Sequence, residues 1–260
     1  MRVIAWNLNH RAAKRRIPEF VAEELALQQP DAVLLTEYVE GDDQARFFGQ
    51  MSSFGFGYAS LSIRVQRQNQ TLIFSKKPIL EGNRLETEID PSISPNYLHV
   101  RVDDLNLIAY RIPAFTSDHQ YLKRATWDLL RARLKMLSTG PTVIGGDFNT
   151  ALEDTYARCG DCLRSLVDSG WVHAVPSTGY SWRAPNGRHE RRIDHVFATP
   201  GFKVERAIYS WAFLSRLPTG KHGVVGYPDH AMLVVDLTQA SAPSGKQITL
   251  QLLQPSQSVP

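Results

Sequence analysis

The sequence predicts an α/β fold in which two β-sheets pack face to face with helices on the outside. Three observations carry this expectation. The chain opens with a strand, a helix and a second strand. Helices interleave with strands in the first half, while strands dominate the second. No repeat or internal linker divides the 260 residues before a Ser-, Pro- and Gln-rich end. Paired sheets with outer helices accommodate both habits, because each sheet then has a second apolar layer on which to bury its faces.

The elements follow in order. Val3 to Leu8 reads as a strand and Pro18 to Gln29 as a helix, with Pro18 suited to a first turn and Pro30-Asp31 as the stop. Ala32 to Thr36 is a second strand ending at Glu37, so the opening unit is a β-α-β crossover that places the two strands close in one sheet. Residues 42–50 suit a short helix. Tyr58 to Ile63 and Thr71 to Phe74 form a strand pair around the polar loop Arg64 to Gln70, and Tyr97 to Val102 and Leu105 to Ile112 form a hairpin about Asp103-Asp104. Asp118 to Leu137 is the longest helix, closed by Gly140-Pro141. Further strands are expected at Thr142 to Ile144, Ile193 to Ala198, Val204 to Tyr209 and Ala231 to Leu237. The expected domain therefore spans residues 1–237, and residues 238–260 are expected to form a disordered tail.

Composition sets the outer bounds. An apolar fraction of 43% is enough for a sizeable core, and a formal charge of +3 permits a phosphate-bearing partner without requiring one. No run approaches the length of a membrane span, and Met1 leads directly into strand-like sequence with no signal-peptide pattern. A cytoplasmic monomer without an obligate protein partner is the expectation. The two cysteines form a single C-x-x-C, Cys159 and Cys162, which excludes a four-cysteine zinc site within one chain and reads as two reduced thiols near a helix start.

Functional residues gather where hydrophobic strands end. Residues 142–150 read TVIGGDFNT: a β-branched run breaks into Gly145-Gly146 and finishes on Asp147-Phe148-Asn149. In extended chain Asp147 and Asn149 share one face and Phe148 takes the other, while the glycines leave the backbone open to close approach. Similar endings occur at Trp6-Asn7, Thr36-Glu37, Ile193-Asp194-His195-Val196 and Pro228-Asp229-His230. Each alone reads as a cap, a solvated strand end or a satisfied core histidine. Their recurrence at strand ends suits a site built by loops converging over a rigid sheet.

These residues, in this order, resemble the endonuclease/exonuclease/phosphatase superfamily, the group of the DNase I-like and exonuclease III-like metal-dependent phosphoesterases. The resemblance runs over residues 1–237 and implies a four-layer α-β-β-α sandwich, two packed mixed sheets with outer helices. It also implies roles. Glu37 would be the main ligand of Mg²⁺ or Mn²⁺, with Asn7 and Asp229 completing the metal set, as hard oxygen donors suit such ions. Asp147 would position and deprotonate the attacking water, and Asn149 would donate to a phosphate oxygen. His230 would face the phosphoryl group, with Asp194 fixing its tautomer and favouring its charged form.

Two positions depart from the family pattern. Asn9 stands where many members carry an acid, and is expected to bind a metal-bound water or phosphate. Arg111 stands where relatives usually place His or Tyr; a guanidinium cannot give up a proton near neutrality but can clamp a phosphate. The basic segments Arg11 to Arg16 and Trp182 to Arg192 suit a nucleic-acid backbone, with Trp182 and Arg188 as further substrate contacts. The expected activity is therefore a divalent-metal-dependent endo- or exonuclease on DNA or RNA. A phosphatase or phosphodiesterase of small or lipid substrates is the alternative, and a catalytically weak nucleic-acid-binding scaffold is a third reading.

Overall fold

In the computed structural model, residues 1–10, 16–84, 93–114, 120–137, 139–184 and 186–239 are described. The basic residues Arg11 to Arg15, the expected helix start at Asp118 and the tail from residue 240 lie outside them.

The chain runs β1 (Arg2–Asn7), α1 (Phe20–Leu27), β2 (Ala32–Tyr38), α2 (Gln44–Ser53), β3 (Tyr58–Leu61), β4 (Gln70–Ser75), β5 (Ile79–Arg84), β6 (Tyr97–Val102) and β7 (Leu105–Arg111). It continues through α3 (Gln120–Leu137), β8 (Thr142–Asp147), α4 (Gly160–Asp168), β9 (Val172–His173), β10 (Trp182–Arg183), β11 (Glu190–Arg191), β12 (Asp194–Ala198), β13 (Phe202–Ser210) and β14 (Met232–Gln239). One sheet has the order β13-β14-β1-β2-β4-β3 and the other β5-β6-β7-β8-β12-β9. Both are mixed: β1–β2 and β7–β8 are parallel and joined through α1 and α3, while their other neighbours run antiparallel.

Alternation along β1 sorts the layers. Val3 and Ala5 face the second sheet, where they join Leu34, Val143, Val196 and Val235 in a buried seam. Ile4 and Trp6 face the other way, onto Val21 and Leu25 of α1 and Phe47 and Met51 of α2. The second sheet repeats the scheme, setting Ile108, Ile144 and Phe197 against Trp127 and Leu130 of α3 and Leu163 of α4. Strands buried on both faces need apolar residues at every position, which is why they read as continuous runs. The result is a four-layer α-β-β-α sandwich, as the resemblance implies.

Several expectations need adjusting. Helix α1 is shorter than Pro18 to Gln29, and β14 extends to Gln239, pairing Thr238 with Lys203. Thr238 and Gln239 therefore belong to the sheet and not to a tail. The edge strand β5 and the two-residue strands β9 to β11 carry no apolar run by which to find them. The two glycines serve a purpose other than ligand access. A Cβ on Gly145 would lie 2.9 Å from Val196 Cγ2 and 3.0 Å from Leu34 Cδ1, and one on Gly146 (φ 146°) would lie 2.0 Å from the Tyr110 carbonyl oxygen. The space beside them is filled by the facing sheet and the neighbouring strand.

Cys159 immediately precedes α4 and Cys162 lies in its first turn, and both thiols are free and buried. The Arg124 guanidinium donates to Cys162 Sγ at 3.1 Å.

Candidate active site

Strand register assembles the site at one edge of the paired sheets. In the second sheet Arg111 of β7 lies beside Asp147 of β8, and Asp194 of β12 lies opposite Asp147. In the first sheet Asn7 of β1 pairs with Thr36 of β2. Glu37 follows, where the β2–β4 register shifts and its own backbone turns left-handed (φ 55°). Such bulges re-aim a side chain at a sheet rim, and here the side chain is Glu37. His230 arrives just ahead of β14. Its backbone bridges Trp182, and its carbonyl accepts the Trp6 Nε1–H at 2.8 Å.

A cavity of about 250 Å³ opens here. Asn7, Glu37, Arg111, Asp147, Asn149, Trp182, Asp229 and His230 all line it, and Asp194 lies fully buried behind His230. His230 Nδ1 donates to Asp194 Oδ2 at 2.7 Å. Asp147 is held by three donors: the Asn149 backbone N–H to Oδ1 (2.9 Å), and the amides of Asn149 (2.8 Å) and Asn7 (3.0 Å) to Oδ2. Arg111 places Nε and a terminal nitrogen 2.9 and 2.7 Å from Glu37 Oε1.

The electrostatics follow from burial opposed by neighbouring charges. Burial pushes the Asp147 carboxyl above the ordinary range and Glu37 adds to the rise, while His230 and Arg111 oppose it. Burial also raises Asp194. Burial alone would lower His230, but the Asp194, Asp147 and Asp229 carboxylates outweigh it and push the imidazole up to about 10, so the ring is cationic at neutral pH.

The structure corrects three assignments. Asn149 does not have an amide to offer a phosphate: its Nδ2 donates to Asp147 and to the Ile112 carbonyl (2.9 Å), so it positions Asp147. It reaches Asp147 through a left-handed turn (φ 47°) and not by extended alternation. Asn9 does not line the cavity. Its Nδ2 donates to the Tyr227 and Val224 carbonyls (3.0 and 3.3 Å), tying down the loop that leads to Asp229-His230. Arg188 is exposed in the loop between β10 and β11 and does not line the cavity. Phe148, by contrast, is fully buried against Trp127 and Phe197.

Further side chains line or brace the cavity beyond those expected as site residues. Arg158 and Arg191 line the cavity, the latter paired with Asp154. Arg191 lies in the basic segment singled out above; Arg158 carries no local signal. Ser181 is fully buried, and its hydroxyl accepts the N–H groups of Ile193 and Asp194 (2.9 and 3.0 Å) while its carbonyl accepts Ala231 N–H (2.7 Å). It thereby ties the Asp194 strand to the His230 strand. Lys123 of α3, 1% exposed, donates to the Asn149 carbonyl at 2.6 Å.

Hard-oxygen donors dominate the cavity. Glu37, Asn7 and Asp229 carry carboxylate and amide oxygens suited to a divalent cation, although Glu37 Oε1 accepts from Arg111 and Asn7 Oδ1 from the Asn9 N–H (2.9 Å). Asp147, Asp194 and His230 also bring ligand atoms within 4.8 Å of one another. In that group the imidazole nitrogen nearest the acids is already engaged by Asp194, which makes it an acid–histidine pair first.

Layer order and the sheet-edge site together define a DNase I-like α/β sandwich. A sequence model of the Endonuclease/Exonuclease/phosphatase family matches residues 4–228, and the chain belongs to that family. Its members are hydrolases of phosphoesters that depend on divalent metal. No curated protein matches the sequence. Among solved structures, an AP endonuclease from Archaeoglobus fulgidus is similar at 17% identity and TM-score 0.70, over 91% of this chain and 98% of that one. An endonuclease/exonuclease/phosphatase from Beutenbergia cavernae is similar at 22% and 0.67, over 94% and 72%. A 3′ phosphatase from Neisseria bound to product DNA hairpin is similar at 18% and 0.67, over 92% and 99%. At such identities the likeness is one of fold. Among the described residues no helix is long and apolar enough to cross a membrane.

Proposed function

We propose that this protein is a divalent-metal-dependent phosphodiester hydrolase acting on DNA or RNA. The observation that carries the reading is the convergence of opposite charges in one cavity: Glu37, Asp147 and Asp229 beside Arg111, Arg158, Arg191 and the cationic His230. A phosphodiester is already anionic, so its field must be neutralised before water can attack. Glu37, Asn7 and Asp229 would hold Mg²⁺ or Mn²⁺, which supplies charge neutralisation at the phosphate.

The chain's own residues perform the remaining work. Asp147, with its orientation fixed by Asn149 and Asn7, takes the proton of the attacking water; burial makes it a stronger base than an exposed aspartate. His230 keeps its proton through Asp194 and turns the other edge of its ring to the charge developing on the phosphoryl oxygens. Arg111, Arg158 and Arg191 bind the phosphate and its neighbours. The similarity in fold to the AP endonuclease and to the DNA-bound 3′ phosphatase supports a nucleic-acid substrate.

The test is direct. Purified protein is incubated with supercoiled plasmid, abasic duplex, single-stranded RNA and an aryl phosphodiester, each with Mg²⁺, Mn²⁺ or chelator. Chelator-sensitive cleavage of a nucleic acid, lost in His230→Ala and Asp147→Asn, is expected. Turnover of small or lipid esters alone rejects the nucleic-acid assignment, and binding without turnover rejects the enzyme.

A further inference from the structure

A second cleft of about 400 Å³ lies beside the phosphate cavity, between the β10–β11 hairpin and the chain that follows β13. Its size falls within the range of ligand sites, roughly 300–1,000 Å³. The two hollows share a wall: Trp182 lines the phosphate cavity, while its neighbours Tyr180 and Arg183 line the cleft. Three of its lining side chains carry rings, Tyr180, Trp211 and His222, with Ala184, Gly187 and Leu214 between them. Trp211 stands 5.4 Å from Tyr180 and 6.0 Å from His222 by ring centroids, and all three are only partly buried. The indole is held in place, its Nε1–H donating to the Tyr180 carbonyl (3.1 Å) and Phe213 backing it at 5.9 Å.

Polar groups in the cleft are donors and amides. Arg183 and Asn186 lie on the hairpin side, and among the described lining residues there is no carboxylate. Gly187 leaves room for the Arg183 guanidinium, which a Cβ would approach to 3.1 Å. The Arg183–Glu190 contact is 3.7 Å and half-exposed on both sides, so the guanidinium is released to a ligand at little cost.

We infer that this cleft takes one unpaired nucleobase of the substrate strand, next to the scissile phosphate. The inference rests on the nuclease reading above and deepens it. The anchored Trp211 face suits any base, Arg183 adds cation–π and phosphate contacts, and the Asn186 amide N–H groups serve a base edge, its Oδ1 being taken by the Arg188 N–H (3.0 Å). A base held in a duplex is already stacked and paired, so the cleft selects single-stranded or frayed nucleic acid.

The test compares a single-stranded oligonucleotide, the same strand in a blunt duplex and an aryl phosphodiester, with Mg²⁺ present. The native protein is expected to cleave the single strand faster than the duplex. Trp211→Leu and Arg183→Ala are each expected to lower the ratio of kcat/KM for oligonucleotide over aryl diester about tenfold, mainly through KM. Arg183 is exposed on a hairpin, so Arg183→Ala keeps the test decisive even if the tryptophan variant does not fold. Oligonucleotide cleavage with an unchanged ratio in Arg183→Ala, or a preference for duplex, overturns the subsite and leaves the nuclease reading standing. Turnover of the aryl diester without any nucleic-acid cleavage overturns both.

Discussion

Lys123→Met separates what the site needs from what the fold prefers. The Lys123 ammonium is buried under the catalytic loop, where burial lowers its pKa from 10.5 to about 8 against the opposing pull of Cys159, Asp154 and Asp147. Between those values the unfolded chain holds a proton that the folded chain has shed, so the group makes stability rise with pH across that window. The full difference is worth about 3 kcal/mol, of which roughly 2 kcal/mol is recovered between about pH 7 and pH 9.5. Methionine keeps the length and apolar stem without the charge. Urea unfolding of both proteins should therefore show the native chain gaining about 2 kcal/mol on the variant over that interval, with other titrating groups cancelling. The same substitution removes the anchor at the Asn149 carbonyl, and Asn149 positions Asp147. Turnover on any accepted substrate should fall roughly 10- to 100-fold, because small misplacements of a catalytic group are costly. A stability gap that does not change with pH refutes the buried, depressed ammonium, and unchanged turnover refutes the positioning of Asp147 through Lys123.

Other outcomes follow from the same geometry. Gly145→Ala forces a methyl group into Val196 on the neighbouring strand and Leu34 of the facing sheet and should cost about 1–3 kcal/mol, measured by urea unfolding. Asp194→Asn removes the negative charge that keeps His230 protonated and orients its ring, and should lower kcat on the order of 10²–10⁴ with unchanged circular dichroism. Asn9→Asp turns a donor to two carbonyls into an acceptor facing them; thermal unfolding should report a loss of about 1–3 kcal/mol, and metal affinity should not improve. The imidazoles of His173 and His195 meet at 3.0 Å while His195 also donates to Thr150, and burial lowers both, His173 to about 3. Below the ordinary histidine value of 6.5 the unfolded state binds more protons, so stability should fall with acidification from there, and the fall should be shallower in His173→Gln.

The sandwich was legible because its inner strands are buried on both faces, and runs such as Ala32 to Leu35 and Met232 to Val235 have no other home. The site was legible where polar residues interrupt those runs: Asn7, Glu37, Asp147, Asp194 and His230 all lie at the same edge. Legibility failed where a role depends on which hydrogen bonds a side chain has left. Asn149 and Asn9 are amides in the right neighbourhood, yet each is committed to backbone carbonyls that only the folded loops bring near. It failed again for Lys123 and Arg158, which reach the site from a helix and a turn, where spacing marks a face and not a target.

The Trp6–His230 contact joins the beginning of the chain to a residue 224 positions later. Strand β14, which begins at Met232 just beyond His230, lies between β13 and β1. Until it docks, β1 presents an unpaired edge and the acid–histidine pair has no histidine. During synthesis the elements emerge in chain order. Glu37 and Asp147 are thus made long before the proposed site is complete, and the strand that seals the vulnerable edge also brings His230 into place. On the proposed function, sealing of the β1 edge and assembly of the acid–histidine pair become a single event.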